Sequence, residues 1–204
     1  MRWFESIRPS QTCRPCRVLE IEAIASRLAA LNPSPAIRGR RAAVIALLVR
    51  DEQGELRVPF TRRSYALKLH PGEISLPGGK WEPGDGGALD QTALRELEEE
   101  LGVAPTRVRI LGRLPDVSTV VTDFAIAPFI GYLEHRQPWL CSDGEIEAVI
   151  EVPLADILRP GAVRQATVVV RGRERNVIAL DYGAHHIWGA TGRILKEFVE
   201  ALEA

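Results

Sequence analysis

The chain has 204 residues, of which 46% are hydrophobic and 26% charged, and its formal net charge is −1. This composition suggests one domain of ordinary size with ample material for a buried core. The balanced charge argues against a general nucleic-acid surface, and the longest apolar run, residues 42–49, is far too short to span a bilayer.

The first predicted element is a helix that lies ahead of the main domain. Residues 18–31 show helical periodicity, and the Asn-Pro-Ser-Pro sequence of residues 32–35 that follows predicts a linker. We therefore divide the chain into an N-terminal extension with one helix, residues 1–37, and a domain of residues 38–204. The sequence leaves open whether this helix packs on the domain or on a partner.

The domain alternates predicted strands and helices. Residues 42–49 form a predicted buried strand, which pairs with residues 57–62 in a hairpin, and a helix is expected from Asp90, as its N-cap, to residue 101. Strands flanked by helices on both sides predict an α/β fold, an α/β/α sandwich with a mixed sheet. The remaining predicted elements are strands at 108–114, 124–133 and 145–152, a helical turn at 154–158, a hairpin of 166–170 with 176–180, and a closing helix at 189–202.

The helix at residues 90–101 carries a cluster of acidic side chains. Residues 95–103 read Arg-Glu-Leu-Glu-Glu-Glu-Leu-Gly-Val, which places Glu96, Glu99 and Glu100 on one helical face. Like charges at the negative end of the helix dipole are unfavourable unless a cation joins them, and Mg²⁺ or Mn²⁺ prefers such oxygen ligands. Because Glu-rich helix ends are usually plain solvated surface, the cluster indicates a metal site only together with its surroundings.

A glycine-rich loop precedes this helix. It contains Gly78-Gly79, Gly84 and Gly86-Gly87, and glycine lets backbone N–H groups approach a ligand closely. Such a loop leading into a carboxylate-bearing helix suits a metal-bound phosphate, whereas a single glycine pair would indicate an ordinary turn.

Together the loop and the helix resemble the Nudix box, G-x5-E-x7-R-E-U-x-E-E-x-G-U, where U is aliphatic. Gly79 matches its first glycine, and residues 95–103 match its whole second half. There are two departures, because Asp85 stands where the motif has Glu, and nine residues, 86–94, stand where the motif has seven. The sequence leaves the role of Asp85 open. The resemblance implies the Nudix α/β/α sandwich, with the metal ligands on the intact helix half.

A second motif directly precedes the Nudix box. Residues 61–79 are similar to the motif L-L-T-x-R-S-x3-R-x3-G-x3-F-P-G-G of the coenzyme A pyrophosphatase branch of that family, starting at its Thr. Pro59-Phe60 replaces the Leu pair, Lys68 replaces Arg and Leu76 replaces Phe. Residues 187–195 are also similar to this branch. The matching positions at which we expect substrate contacts are Arg63, Ser64, Lys68, Gly78 and Gly79, with Arg63 and Lys68 as the best candidates for holding phosphates.

The resemblance implies Mg²⁺-dependent hydrolysis of coenzyme A, or a close derivative, to 3′,5′-ADP and 4′-phosphopantetheine. In the family the arginine at the position of Arg95 orients a catalytic glutamate, and the metal positions a water for in-line attack on phosphorus. The base that takes the proton of this water is expected to be Glu99 or, from a strand outside the box, Glu145, with Glu147 as the neighbouring alternative.

Two rival functions follow from the same residues. The first is a Nudix enzyme for NADH, ADP-ribose or a dinucleoside polyphosphate, against which residues 61–72 argue. The second is a non-catalytic nucleotide sensor, against which the complete set of three glutamates argues.

His70 lies in the second motif and is a further candidate for a phosphate contact, although a lone loop histidine is more often structural. We interpret His185 and His186 as structural.

The remaining expectations concern cysteine, compartment and partners. Cys13 and Cys16 form a CxxC pair without a second pair, which supports a structural zinc site only weakly. Residues 1–6 lack the apolar core of a signal peptide. We therefore expect a cytoplasmic monomer or homodimer that acts on a small nucleotide and binds neither nucleic acid nor a membrane.

Overall fold

The computed structural model describes residues 20–31, 33, 39–119, 123–142, 144–170 and 172–203. Cys13 and Cys16 lie outside the described residues, as do residues 18–19 and, except for Pro33, the predicted linker. Within the described part, the helices and strands in chain order are α1 (Ile21–Ala30), β1 (Arg40–Arg50), β2 (Leu56–Arg63), β3 (Ile74–Ser75), β4 (Gly78–Lys80), α2 (Leu89–Leu101), β5 (Val108–Arg113), β6 (Val117–Ser118), β7 (Phe124–Leu133), β8 (Ile146–Pro153), α3 (Leu154–Ile157), β9 (Val163–Val170), β10 (Arg173–Tyr182), β11 (His185–Trp188) and α4 (Ala190–Glu203).

The main sheet is built around β1, which pairs in parallel with β7 along Arg40 to Val49. The other pairings in this sheet are antiparallel, so the sheet is mixed, and the β1–β2 pairing confirms the predicted hairpin. Among the described residues the strand order is β3-β2-β1-β7-β5, with β4 on β1, β6 on β7 and β8 on β2.

Side chains of β1 alternate between two buried layers. Ile45 and Leu47 share a buried cluster with Leu97 of α2 on one face of the sheet. Leu48 belongs to the other cluster, which includes Phe198 of α4. Because helices cover both faces, the strand is apolar along most of its length, as expected of a strand buried on both sides. The predicted α/β/α sandwich is therefore confirmed.

A second sheet, in the order β11-β10-β9, adds to the layer that contains α4. Leu180 of β10 and Ile187 of β11 are buried in the same cluster as Phe198. The predicted hairpin of 166–170 with 176–180 is confirmed as β9 and β10, which are both longer than expected. Strand β11, which contains His185 and His186, was not predicted. None of the described helices combines the length and the apolar composition needed to cross a bilayer.

Two predicted element boundaries were wrong near the acidic helix and the late strand. Helix α2 begins at Leu89 with Ala88 as its N-cap, and Asp90 lies in the first turn, where its charge interacts favourably with the helix dipole. Strand β8 begins at Ile146, so Glu145 precedes it by one residue. The end of α2 is as predicted, because Gly102 closes the helix in the left-handed conformation at a φ of 68°.

Helix α1 packs on the core of the domain. Ile21, Ile24 and Leu28 are buried in the cluster that contains α4. Leu28 lies against Gly112 of β5, where an added Cβ would be only 2.5 Å from the Cβ of Leu28. A glycine is therefore needed for this close approach. The boundary between an extension of residues 1–37 and a domain of residues 38–204 stays a prediction, but the helix of that extension shares the buried core.

We expect Leu28→Ala to lower the free energy of unfolding by about 2–5 kcal/mol, since it leaves a cavity between α1 and the sheet. Urea denaturation followed by circular dichroism measures this change. Glu22→Ala on the exposed side of α1 is the matched control and should change the stability far less. A Leu28→Ala variant as stable as the wild type would show that α1 does not contribute to the core.

Candidate active site

The side chain of Arg95 joins the glycine-rich loop to α2. Its Nε donates to Oδ1 of Asp85 at 2.7 Å, and its Nη2 donates to the backbone oxygen of Lys80 at 3.0 Å. Its Nη1 donates to Oε2 of Glu99 at 3.1 Å, and Oε1 of Glu96 lies 3.0 Å from Nη2. One guanidinium group thus holds the end of β4, the loop and two acidic side chains of α2 together.

Asp85, whose role the sequence left open, anchors the loop. Its side chain is only 3% exposed, and besides Arg95 it accepts hydrogen bonds from Oγ1 of Thr92 at 2.8 Å and from the N–H of Glu82 at 2.9 Å. The hydrogen bond from Arg95 holds the pKa of Asp85 well below its usual range, against the opposing effect of burial. The replacement of Glu by Asp and the two extra loop residues therefore still leave a carboxylate bonded to Arg95.

Glu96 and Glu100 are the less exposed acids of the cluster. The side chain of Glu96 is 17% exposed, and Glu100 is buried, with no hydrogen-bond partner for its Oε2 atom. Burial, reinforced by the charge of Glu96, raises the pKa of Glu100 to about 8, and burial also raises the pKa of Glu96. Ionising both groups is therefore unfavourable unless a cation is close to them.

Gly78 and Gly79 bring the backbone of β4 against α2 and β1. A Cβ at Gly79 would lie 2.3 Å from Oε1 of Glu96, and a Cβ at Gly78 would lie 2.3 Å from the backbone oxygen of Ala43. Both positions therefore require glycine for packing against the protein itself. Their predicted contact with substrate stays a prediction, because the close approach observed here is to a carboxylate of the site and to a strand.

The donor set of Glu96 and Glu100 fits a hard divalent cation. The unpartnered oxygen of Glu100 and the neighbouring carboxylate of Glu96 supply anionic oxygen atoms, which Mg²⁺ and Mn²⁺ prefer. Glu99 is 59% exposed and bonded to Arg95. Within the part of the chain that the structure describes, no three acidic, histidine or cysteine side chains converge into a ready-made metal site. Glu99 as a third ligand stays a prediction.

Arg63 and Glu145 reach the surroundings of Glu100 from other elements. The charge of Arg63 lowers the pKa of Glu100 and the charge of Glu145 raises it, both more weakly than burial does. Backbone hydrogen bonds also connect these segments. The N–H of Ser64 donates to the backbone oxygen of Glu145 at 2.8 Å, and the N–H of Ser142 donates to the backbone oxygen of Glu100 at 3.3 Å. The structure thus brings the predicted Arg63, Ser64 and Glu145 to the end of α2.

Other predicted residues have partners elsewhere or lie further out. His70 is 2.7 Å from Glu73, and both side chains are exposed. Glu147 is 3.6 Å from Arg62, which ties it to β2. Lys68 lies exposed in the loop between β2 and β3. The sequence reasoning missed the buried partnership of Asp85 with Thr92, for which the only local signal was an aspartate at the end of a Pro-Gly turn.

A comparison with protein families matches residues 39–171 to the model of the NUDIX domain. The chain belongs to the Nudix family. Members of this family hydrolyse nucleoside diphosphate derivatives and generally use divalent metal ions such as Mg²⁺. This Nudix protein is also 35% identical over 182 residues to a Salmonella paratyphi B protein named "Uncharacterized Nudix hydrolase NudL", an alignment that covers 88% of this chain and 93% of the relative.

Solved Nudix structures share the fold. The Nudix hydrolase from Alicyclobacillus acidocaldarius superposes with a TM-score of 0.55 at 18% identity, covering 83% of this chain and 98% of that one. A MutT/nudix family protein from Enterococcus faecalis gives a TM-score of 0.53 at 15% identity, covering 92% of this chain and 71% of that one. At these identities the likeness concerns the fold alone.

We expect Asp85→Asn to lower the free energy of unfolding at pH 7 by about 1.5–3 kcal/mol, because it removes the charge from a buried hydrogen bond to Arg95. The pKa of Asp85 is lowered in the folded state, so its contribution is present above the unfolded pKa of about 3.9 and is lost as the pH falls below it. Urea denaturation at pH 7 and in steps from about pH 5 downward measures both effects.

The control for this substitution is Asp90→Asn, in the first turn of the same helix, which should change stability far less. The difference between the wild type and Asp85→Asn should shrink as the pH falls from about 5 toward 3. A difference that is independent of pH would contradict the proposed charge interaction.

Proposed function

We propose that this Nudix hydrolase cleaves the diphosphate of coenzyme A, or a close derivative, to 3′,5′-ADP and 4′-phosphopantetheine. The observation that carries the proposal is the position of Arg63, which belongs to the segment similar to the coenzyme A pyrophosphatase branch. Its charge acts on Glu100, and its buried Nε has no hydrogen-bond partner. A cationic side chain beside the acidic cluster suits the phosphates of such a substrate.

The acidic residues have separate proposed roles, metal binding and proton acceptance. Glu96, Glu99 and Glu100 would hold Mg²⁺ or Mn²⁺, which, when bound, neutralises the diphosphate and lowers the pKa of water. Arg95 keeps Glu96 and Glu99 in place by contacts of 3.0 and 3.1 Å. We propose that a carboxylate, either Glu99 or the exposed Glu145 near Glu100, accepts the proton of the attacking water.

The substrate-binding residues come from the loop and strand ends around the cluster. Arg63 and Lys68 are proposed to hold substrate phosphates, including the 3′-phosphate of coenzyme A, because charge-assisted contacts are the strong ones in phosphate recognition. Ser64 and the backbone of Gly78–Gly79 complete the proposed binding site. We place the reaction in the cytoplasm, with the enzyme acting as a monomer or a homodimer.

A substrate panel with Mg²⁺ tests the proposed function. It compares coenzyme A, 3′-dephospho-coenzyme A, NADH, ADP-ribose and a dinucleoside polyphosphate, and we expect the highest kcat/KM for coenzyme A. A clear preference for one of the other compounds would replace coenzyme A as the substrate. Nucleotide binding without turnover of any compound would indicate a sensor instead of an enzyme.

We expect Glu100→Gln to lose at least roughly a hundredfold in kcat, the range seen when electrostatic stabilisation of a reacting centre is removed. Because burial already disfavours the ionised form of Glu100, the neutral glutamine should leave the fold intact, which a thermal melt checks. Glu98→Gln, exposed on the same helix, is the matched control and should retain activity. Near-normal turnover by Glu100→Gln at saturating Mg²⁺ would overturn the metal assignment.

If Arg63 or Lys68 meets the 3′-phosphate, coenzyme A should be hydrolysed better than its 3′-dephospho form. The ratio of kcat/KM for coenzyme A to kcat/KM for the 3′-dephospho form should fall by about 10- to 150-fold in Arg63→Gln or Lys68→Gln. This corresponds to the loss of one charge-assisted contact. Arg63→Lys, which keeps the charge, should retain part of the preference, and Lys196→Gln on α4 should leave it unchanged. Equal kcat/KM for both substrates in the wild type would remove this role from both residues.

A further inference from the structure

The ring of Tyr65 is exposed to solvent and yet packed firmly on one side. The residue is 66% exposed, two positions after Arg63. An added Cβ at Gly72 would lie 2.4 Å from Cε1 and 2.8 Å from Cζ of the ring, so the ring rests directly on the Gly72 backbone. The guanidinium carbon of Arg62 lies 5.9 Å from the ring centroid. The ring is therefore supported by the protein without being buried in it.

Backbone hydrogen bonds hold the loop on which Tyr65 lies. The N–H of Gly72 donates to the oxygen of Arg63 at 3.1 Å, and the N–H of Arg63 donates to the oxygen of Glu73 at 3.0 Å. Further along the loop, Nδ1 of His70 lies 2.7 Å from Oε2 of Glu73. The glycine that supports the ring is thus bonded to the residue whose charge acts on the acidic cluster, which fixes the ring relative to the proposed phosphate site.

We propose that Tyr65 is the stacking platform for the adenine base of the substrate. This inference rests on the proposed function and names the half of the substrate that the loop recognises. Stacking on an aromatic side chain suits any base, because every base has a π-face. A ring that is already held in place loses little conformational freedom when a base covers its open side.

Charge favours the nucleotide half of coenzyme A over its pantetheine half at this place. The loop and the strand that leads into it carry cationic side chains at Arg62, Arg63 and Lys68, which attract the phosphates of an adenosine phosphate. The 3′-phosphate belongs to the nucleotide half alone, whereas the pantetheine arm beyond the diphosphate is uncharged. Leu69, which is 71% exposed, offers apolar surface to either half and does not decide between them.

Binding of the two product halves tests this proposal without relying on turnover. Isothermal titration calorimetry in the presence of Mg²⁺ measures the Kd of 3′,5′-ADP and, separately, of 4′-phosphopantetheine. In Tyr65→Leu we expect the affinity for 3′,5′-ADP to fall by about 5- to 150-fold, the range for loss of one base stack, and the affinity for 4′-phosphopantetheine to stay within about twofold. Tyr65→Phe keeps the ring and should bind 3′,5′-ADP nearly as the wild type does.

Every other outcome of these titrations contradicts the stacking proposal. Unchanged binding of 3′,5′-ADP to Tyr65→Leu, or no binding to the wild type, would remove the stacking role. A selective loss of 4′-phosphopantetheine binding would assign the ring to the other half of the substrate. An equal loss in Tyr65→Phe would indicate a hydrogen bond from the hydroxyl group instead of stacking. Wild-type binding of 3′,5′-ADP without hydrolysis of coenzyme A would refute the proposed function and leave the stacking role in place.

Discussion

Arg95 donates hydrogen bonds to a buried aspartate in the loop, to the last carbonyl of β4 and to a glutamate on its own helix. Much of the proposed site depends on this group, because it fixes the loop and the acidic cluster relative to each other. A guanidinium presents several donors in one plane and stays charged, whereas a lysine could not meet this geometry. The aspartate at position 85 and the lengthened loop preserve the interaction, although both depart from the family motif.

The second constraint is the burial of acidic groups at the end of α2. Glu100 is enclosed with an unpartnered oxygen, and the nearby charge of Glu96 makes its ionisation still less favourable. Ionising both groups costs stability unless a cation joins them, which supports a role in binding a cation. Gly79 is part of the same arrangement, since a side chain at this position would collide with the carboxylate of Glu96.

The end of β2 connects these acids to the proposed recognition loop. The pairing of β2 with β8 shifts register between Arg62 and Arg63, an irregularity that redirects side chains and is common next to active sites. On one side of this point, Arg62 lies near Tyr65 and Glu147. Beyond it, Arg63 acts on Glu100. A single strand end therefore supplies cationic groups both to the acidic cluster and to the loop proposed to hold the nucleotide.

The sequence by itself determined the elements and contacts that depend on near neighbours in the chain. Apolar periodicity predicted the long strands and helices, and the spacing of Glu96, Glu99 and Glu100 placed them on one face, because helical geometry is local. The pairing of Asp85 with Arg95, the burial of Glu100 and the position of Glu145 were decided by the tertiary structure. The short strands β3, β4 and β6 also depended on it, since two or three residues pair as strands only where a longer strand supplies the partner. Burial and electrostatic neighbours arise when distant segments pack together, and no local pattern records which segments will meet.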